Sequence, residues 1–316
     1  MCLSNLLKLG VVDLDTSHPH IWVPLLRRLG YDVAAVFDGG VVHKVGYADT
    51  FATKHAIPQV WRSVEDMASS DGVEMAIIHT CDWGLHAARA WPFIQLNKPI
   101  FIDKPIAGSM GDLAQLASWA AAGSRITGGS ALRFCQEVLD EREFGLMHGP
   151  ILSAMVGCGI DEFNYGIHAY ALACGLMGPQ LIAVRHLGVR RGRHQIDLRW
   201  NDDRYVSLVA AGANWLPFFA TVIYQDTVRH FQVNTDALYQ TLLTTTMPYL
   251  SGRRPDPPIP FAELIVPEKA ALAARLSLLR QCAWVEMHEL DASDVAFDGT
   301  AFARHYKIAA HTKSQS

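Results

Sequence analysis

No stretch of this chain approaches the roughly 20 uninterrupted apolar residues that a membrane-spanning helix requires; charged residues or glycine break every apolar run. Positive charge is in short supply too, with 27 Lys and Arg against 31 Asp and Glu and a formal net charge of −4. No Lys/Arg cluster is dense enough to follow a phosphate backbone, so neither nucleic acid nor a membrane is expected as a partner. Cysteine is sparse and unpatterned. Cys2, Cys81, Cys135, Cys158, Cys174 and Cys282 form no C-x-x-C pair and no framework spacing, and read as small apolar residues of a reducing compartment. The first ten residues lack the basic region, long apolar run and cleavage site of a secretory signal, which makes a cytoplasmic location the expectation.

What is present is a composition of 50% hydrophobic and 18% charged residues over 316 positions, enough for two well-buried domains. The first part alternates short apolar runs with helical periodicity, the pattern of repeated βαβ units around a parallel sheet. Strands are expected at 6–14, 33–37, 73–79, 100–102 and 125–127. Helices are expected to end at Gly30, to start at the capping boxes Ser63/Asp66 and Ser109/Asp112, and to span 84–97. Beyond residue 129 the rhythm changes. Helices are expected at 132–144, 163–177 and 267–285, β-rich runs at 151–156, 181–187, 195–200, 205–211 and 218–224, a proline-rich loop at 251–260 and a frayed tail from 311. The fold class is therefore α/β: a Rossmann-like doubly wound parallel sheet in residues 1–128, followed by an α+β domain with an open, mainly antiparallel sheet in residues 129–316.

Two motifs carry chemistry. In Lys98-Pro99-Ile100-Phe101-Ile102-Asp103-Lys104-Pro105 the final proline restrains Lys104 to extended geometry at the C-terminal end of a strand, where open α/β sheets bind ligands. A cation there stabilises a developing alkoxide. The second motif is Gly159-Ile160-Asp161-Glu162-Phe163-Asn164-Tyr165-Gly166-Ile167-His168, in which a helical spacing of four puts Asn164 and His168, with Asp161 and Tyr165, on one face. Taken alone, these are a surface lysine and a satisfied helical histidine. Together, and with Arg133-Phe134 and the loop at 253–260 before an Ala/Leu-rich helix, they resemble the glucose-fructose oxidoreductase/inositol dehydrogenase (Gfo/Idh/MocA) family over nearly the whole chain. The resemblance implies that Lys104 and His168 are catalytic, with Asn164 and Tyr165 beside them, and that a homo-oligomer forms through the second sheet.

The chain departs from the family pattern at three places: Asp103 stands where the family usually has Glu, Asn164 where it usually has Asp, and the glycine-rich loop is replaced. Where members carry G-x-G-x-x-G, this chain has Asp13, Asp15 and His18 within a Leu14-Asp15-Thr16-Ser17-His18 loop that resembles a variant subgroup. Two carboxylates beside a pyrophosphate are expected to repel it, while Thr16, Ser17 and the helix N-terminus still offer donors. Asp38, at the end of the second strand, is placed to hold the adenosine ribose and favours NAD over NADP; its alternative is a solvated turn before Gly39-Gly40. The implied cofactor contacts are Asp15, Thr16, Ser17, His18, Asp38, Thr80, His86, Asp103 and Lys104, with His86 structural or cofactor-adjacent. Asp13, Asp15, His18 and His20 also have the donor chemistry of a metal set, but the plainer reading, Asp15 as a helix cap with surface histidines, is preferred, and no metal is expected.

The function expected is an NAD(P)-dependent oxidation or reduction at a hydroxyl or ketone of a sugar, cyclitol or related polyol, with His168 as general base and Lys104 stabilising the alkoxide. Two alternatives stand beside it. The altered loop suits a lyase- or hydrolase-like relative in which NAD is transient or absent, and the loop together with Asn164 suits a non-catalytic ligand-binding protein.

Overall fold

The structure, a computed structural model, describes residues 6–212 and 214–313. Its first layer is a six-stranded, wholly parallel sheet of β1 (Lys8–Val12), β2 (Asp32–Phe37), β3 (Gln59–Trp61), β4 (Met75–Ile78), β5 (Ile100–Ile102) and β6 (Ile126–Gly128), in the order β3-β2-β1-β4-β5-β6. Every residue of β4 and β5 is buried, as continuous apolar runs in a sheet covered on both faces require. The covering helices are α1 (His18–Arg28), α2 (Tyr47–His55), α3 (Val64–Ser69), α4 (His86–Gln95) and α5 (Met110–Ala121). Both expected capping boxes form in part: Ser63 Oγ accepts from Asp66 N at 3.0 Å and Ser109 Oγ from Asp112 N at 3.1 Å. Gly128 ends β6 at φ 151°, where a Cβ would stand 1.9 Å from the Ile102 carbonyl oxygen. Only glycine fits there.

The second sheet has seven strands in the order β12-β11-β7-β10-β9-β8-β13, made of β7 (Ser153–Gly157), β8 (Leu181–Arg190), β9 (Arg193–Trp200), β10 (Tyr205–Ala210), β11 (Phe219–Ile223), β12 (Val228–Gln232) and β13 (Val285–Glu286). Only β7 and β10 pair in parallel; the other pairings are antiparallel. With it come α6 (Gln136–His148), α7 (Gly166–Met177), α8 (Leu238–Leu250), α9 (Phe261–Leu264), α10 (Val266–Leu279) and α11 (Gly299–Lys313). Among the described residues no helix is long and apolar enough to cross a membrane, and Cys81, Cys135, Cys158, Cys174 and Cys282 are free thiols.

Several boundaries differ from expectation for local reasons. The segment 84–97 splits into a 3-10 turn, Trp83–Leu85, and α4, because the Asp82 side chain accepts from Gly84 N and caps the turn. The helix expected from 163 starts at Gly166, since Asp161 Oδ1 accepts from the amides of Phe163 and Tyr165, both at 3.0 Å, and holds them in a turn. The helix expected at 132–144 runs four residues later, after a 3-10 turn capped by Ser130. The expected 267–285 helix stops at Leu279, leaving Val285 to pair with β8. α11 extends through residue 313, into the segment expected to fray; the remaining tail, 314–316, lies outside the described residues.

Two features position the site. In α7 every residue but His168 is buried, so an apolar helix threaded through the core delivers one polar side chain to the cleft. After α10, the chain returns to the first sheet: the Trp83 indole donates to the Phe297 carbonyl at 2.7 Å, Thr300 to Asp82 at 2.8 Å and Lys307 to the Val41 carbonyl at 3.2 Å. Ala303, Val42 and Cys81 form a small apolar cluster beneath α11.

Candidate active site

The sheet order reverses between β1 and β4, and the crevice beyond their C-terminal ends is where doubly wound folds hold ligands. Here polar side chains stitch that crevice together. Asp13, in the left-handed region at φ 63°, accepts from Gly39 N at 2.7 Å and pairs with Arg89 at 3.0 Å. Asp15 Oδ2 accepts from the Thr80 hydroxyl and from Cys81 N, both at 2.9 Å. Both carboxylates are buried. Burial pushes Asp13 up to about 7 against the pull of Arg89.

These contacts correct three expectations. The loop carboxylates face inward onto donors of the protein rather than outward to repel a phosphate. Asp15 is not the cap of α1: Ser17 is the N-cap residue, and the His18 amide donates to Thr16 Oγ1 at 3.3 Å. His18 and His20 are half-buried rather than surface histidines, because His18 turns onto Asp103 and His20 onto His55 and Tyr47.

Lys104 follows β5 with a cis bond to Pro105. Its loop is pinned from the second layer by Glu268 of α10, whose Oε1 accepts from Ile106 N at 3.0 Å. The Lys104 amine donates to the Asn164 backbone oxygen at 3.1 Å and side-chain oxygen at 3.0 Å, and stands 5.4 Å from the Tyr165 ring centre. Burial lowers the Lys104 pKa, opposed by Asp103 and Asp161. Asn164 therefore serves Lys104 and does not partner His168, the result of its place in the turn before α7. His168 Nδ1 instead meets Ser130 Oγ at 2.7 Å, and its ring lies 6.0 Å from that of Tyr165. Its pKa is held well below the ordinary range, by burial first and then by the charges of Lys104 and His18.

Asp103, before Lys104, is the hub of the site. Its Oδ1 accepts from Lys104 N at 2.8 Å, and its Oδ2 is shared by His18 Nδ1 at 2.5 Å and His79 Nδ1 at 2.9 Å. The His18 ring stacks on Trp22 and meets Tyr239 of α8 edge-on at 5.1 Å. His79, Ser130 and Tyr239 were not singled out in the sequence; only the position of His79 at the end of a central strand offered a signal. The three donor atoms on His18, His79 and Asp103 lie within 4.8 Å of one another, a spacing a metal ion can span. The hydrogen bonds explain that spacing already, and neither imidazole has the partner on its second nitrogen that metal-bound histidines are given. His86 is sealed in the core with its ring nitrogens on the carbonyls of Ile106 at 2.9 Å and Thr80 at 3.0 Å, a structural staple.

Beside the crevice, past β2, lies a groove of about 780 Å³ lined by Asp38, Gly39, Gly40, His43, Tyr47, Arg62 and Lys307. That volume and lining fit the nucleoside end of a dinucleotide, with Asp38 available to ribose hydroxyls. The phosphate end is modified. Pro19 removes one helix-start amide, Thr16 and Ser17 supply hydroxyls, and Asp15 Oδ1 is a buried acceptor without a partner, suited to a hydroxyl donor rather than to a phosphate.

A wholly parallel Rossmann-like sheet is followed by an open mixed sheet, and Lys104 after β5 reaches Asn164 and Tyr165 before α7. Residues 19–128 match the model of the Gfo/Idh/MocA oxidoreductase family, NAD-binding Rossmann fold. The match begins just after the variant loop. No curated protein matches the chain in sequence. Among solved structures, the chain is similar to scyllo-inositol dehydrogenase from Lactobacillus casei with NAD(H) and scyllo-inositol, at 14% identity, TM-score 0.76, covering 90% of this chain and 100% of that one. It is similar also to myo-inositol dehydrogenase from the same organism with NAD(H) and myo-inositol (14% identity, TM-score 0.75, 89% and 96% covered) and to GenD2 from gentamicin A biosynthesis with NAD (15%, 0.73, 90% and 97%). At these identities the likeness is one of fold.

Proposed function

We propose that this protein is a nicotinamide-dependent oxidoreductase acting at a hydroxyl or ketone carbon of a cyclitol, sugar or related polyol. The observation that carries the reading is Lys104, held at the domain junction with its amine between Asn164 and the Tyr165 ring and with the imidazoles of His18 and His168 nearby. A bound nicotinamide dinucleotide supplies the hydride acceptor or donor. Asp38 and the neighbouring groove would hold its nucleoside end, and Thr16 and Ser17 its phosphates. Lys104 orients the substrate hydroxyl and stabilises the alkoxide, while an imidazole of the cleft takes the proton. The inositol and NAD(H) complexes of fold relatives support this substrate class. A homo-oligomer is part of the proposal: Met155, Ile223 and Val228 present apolar side chains on the outer face of the second sheet, and light scattering reads the mass.

The test is titration of the full chain with NAD(H), followed by tryptophan fluorescence, and turnover of myo- and scyllo-inositol. Saturable quenching and cyclitol-dependent NADH formation are expected, with Lys104→Ala lowering turnover by roughly 10²–10³-fold, the loss that follows removal of one oxyanion donor. Folded protein that shows no quenching by NAD(H) and no turnover overturns the reading.

A further inference from the structure

We propose that His18, oriented by Asp103, is the proton-accepting residue of this site, and that His168 is a neutral hydrogen-bonding neighbour. The inference deepens the oxidoreductase reading and rests on it. Asp103 is buried with both oxygens occupied, one by the Lys104 amide and the other by two imidazole nitrogens. Burial alone would raise its pKa, but the attraction and hydrogen bonds of His18 and His79 outweigh burial and hold it well below the ordinary range. An ionised carboxylate only accepts, so both Nδ1 atoms carry hydrogen and each Nε2 is a lone-pair acceptor.

The two Nε2 atoms differ in access. That of His79 is buried without a partner, whereas that of His18 has no hydrogen-bond partner among the described residues and is not sealed, the side chain being 13% exposed. Trp22 and Tyr239 fix the ring plane. His18 thus has the arrangement of a general base: a carboxylate on one nitrogen and an open lone pair on the other. His168 lacks it. Residue 164 is an asparagine committed to Lys104, the His168 Nδ1 rests on a serine hydroxyl, and the neighbouring lysine charge works against an imidazolium. The pairing of histidine with carboxylate that the second motif lacks is rebuilt in the first domain.

In the oxidative direction the substrate O–H bond breaks and its proton passes to His18 Nε2, leaving an imidazolium paired with Asp103. The C–H electron pair leaves as hydride to the oxidised dinucleotide, and the C=O bond forms; reduction reverses each transfer. The titratable groups around His18 are Asp103 and Lys104 after β5, His79 after β4, Tyr239 on α8 and His168 on α7.

Two readouts test the proposal on the full chain. Without substrate, nitrogen-15 histidine NMR is expected to show His18 as the Nδ1–H tautomer, with its bonded proton lost in Asp103→Asn; an Nε2–H tautomer overturns the proposal whatever the activity. With NAD and the inositol that turns over, His18→Gln is expected to lower kcat by roughly 10²–10⁴-fold with unchanged melting and to abolish the acidic limb of the pH profile. Asp103→Asn moves that limb to lower pH, and His168→Gln keeps it. A limb that survives in His18→Gln and vanishes in His168→Gln overturns the assignment. Absence of turnover in every protein with an Nδ1–H His18 counts against the oxidoreductase reading instead, so the two failures are told apart.

Discussion

At the scale of single residues, the amide at position 164 sets the electrostatics of the cleft. The Asn164 side-chain oxygen lies 3.0 Å from the Lys104 amine, so an aspartate there would make an ion pair with the lysine and would not reach His168. Wild-type activity is expected to decline as pH rises through the lowered pKa of Lys104, because only the ammonium donates to an alkoxide. Asn164→Asp adds an anion that favours the ammonium, and the basic limb of the kcat profile should move up by about one unit or more. Maximal turnover should fall by roughly tenfold, since the lysine hydrogens are then held by the new carboxylate. A basic limb at the wild-type position would show that the amine has another partner during turnover. Lys104 and His168 were legible in the sequence because each sits in a local motif. The pairing of His18 with Asp103 was not, because 85 residues separate them and nothing local to either encodes the other.

Among elements, those with strong local signals were read closely: β5 at 100–102, the helices opened by Ser63 and Ser109, and the open second sheet. α2, β3, β12, α8 and α11 carry signals too weak to be legible. β12 alternates over only five residues, Val-Arg-His-Phe-Gln, and α8 is rich in Thr with Pro248 inside it, so tertiary packing overrides weak propensity. The consequence for α11 is testable. It covers Val42 and Cys81, and Gly299 enters so closely that a Cβ would stand 2.4 Å from Asp82 Oδ1. A chain ending at residue 298 should expose Cys81 to thiol reagents, whereas the full chain protects it; peptide mapping after alkylation identifies the site. Equal labelling in both forms would mean that α11 does not protect this edge.

For the whole molecule, pH acts through buried carboxyls that straddle the two layers. Glu268 is buried with Oε2 unpartnered, and burial raises it to about 7 despite the hydrogen bond from Ile106 N. The folded chain then binds more protons than the unfolded one between roughly pH 4.5 and 7, so stability falls as pH rises through that window; Asp13, raised to about 7 by burial, acts in the same sense. Asp103, held low, contributes stability that is lost under acid. Glu268→Gln should match wild type near pH 4.5 and exceed it by about 3 kcal/mol at pH 8, as read by urea denaturation at the two values. A constant difference across pH would remove Glu268 from this role.

The contacts of α11 also bear on how the protein is made. Lys307 reaches Val41 across 266 residues and Trp83 reaches Phe297 across 214. A ribosome releases the first domain long before it adds the residues that finish the rim of its groove. The nascent domain emerges with Val42 and Cys81 uncovered and keeps that edge open until the residues of α11 have been made. Closure of so distant a contact is slow compared with local folding, so the groove for the nucleoside is among the last surfaces of the molecule to be completed, although the strands that frame it are among the first to be synthesised.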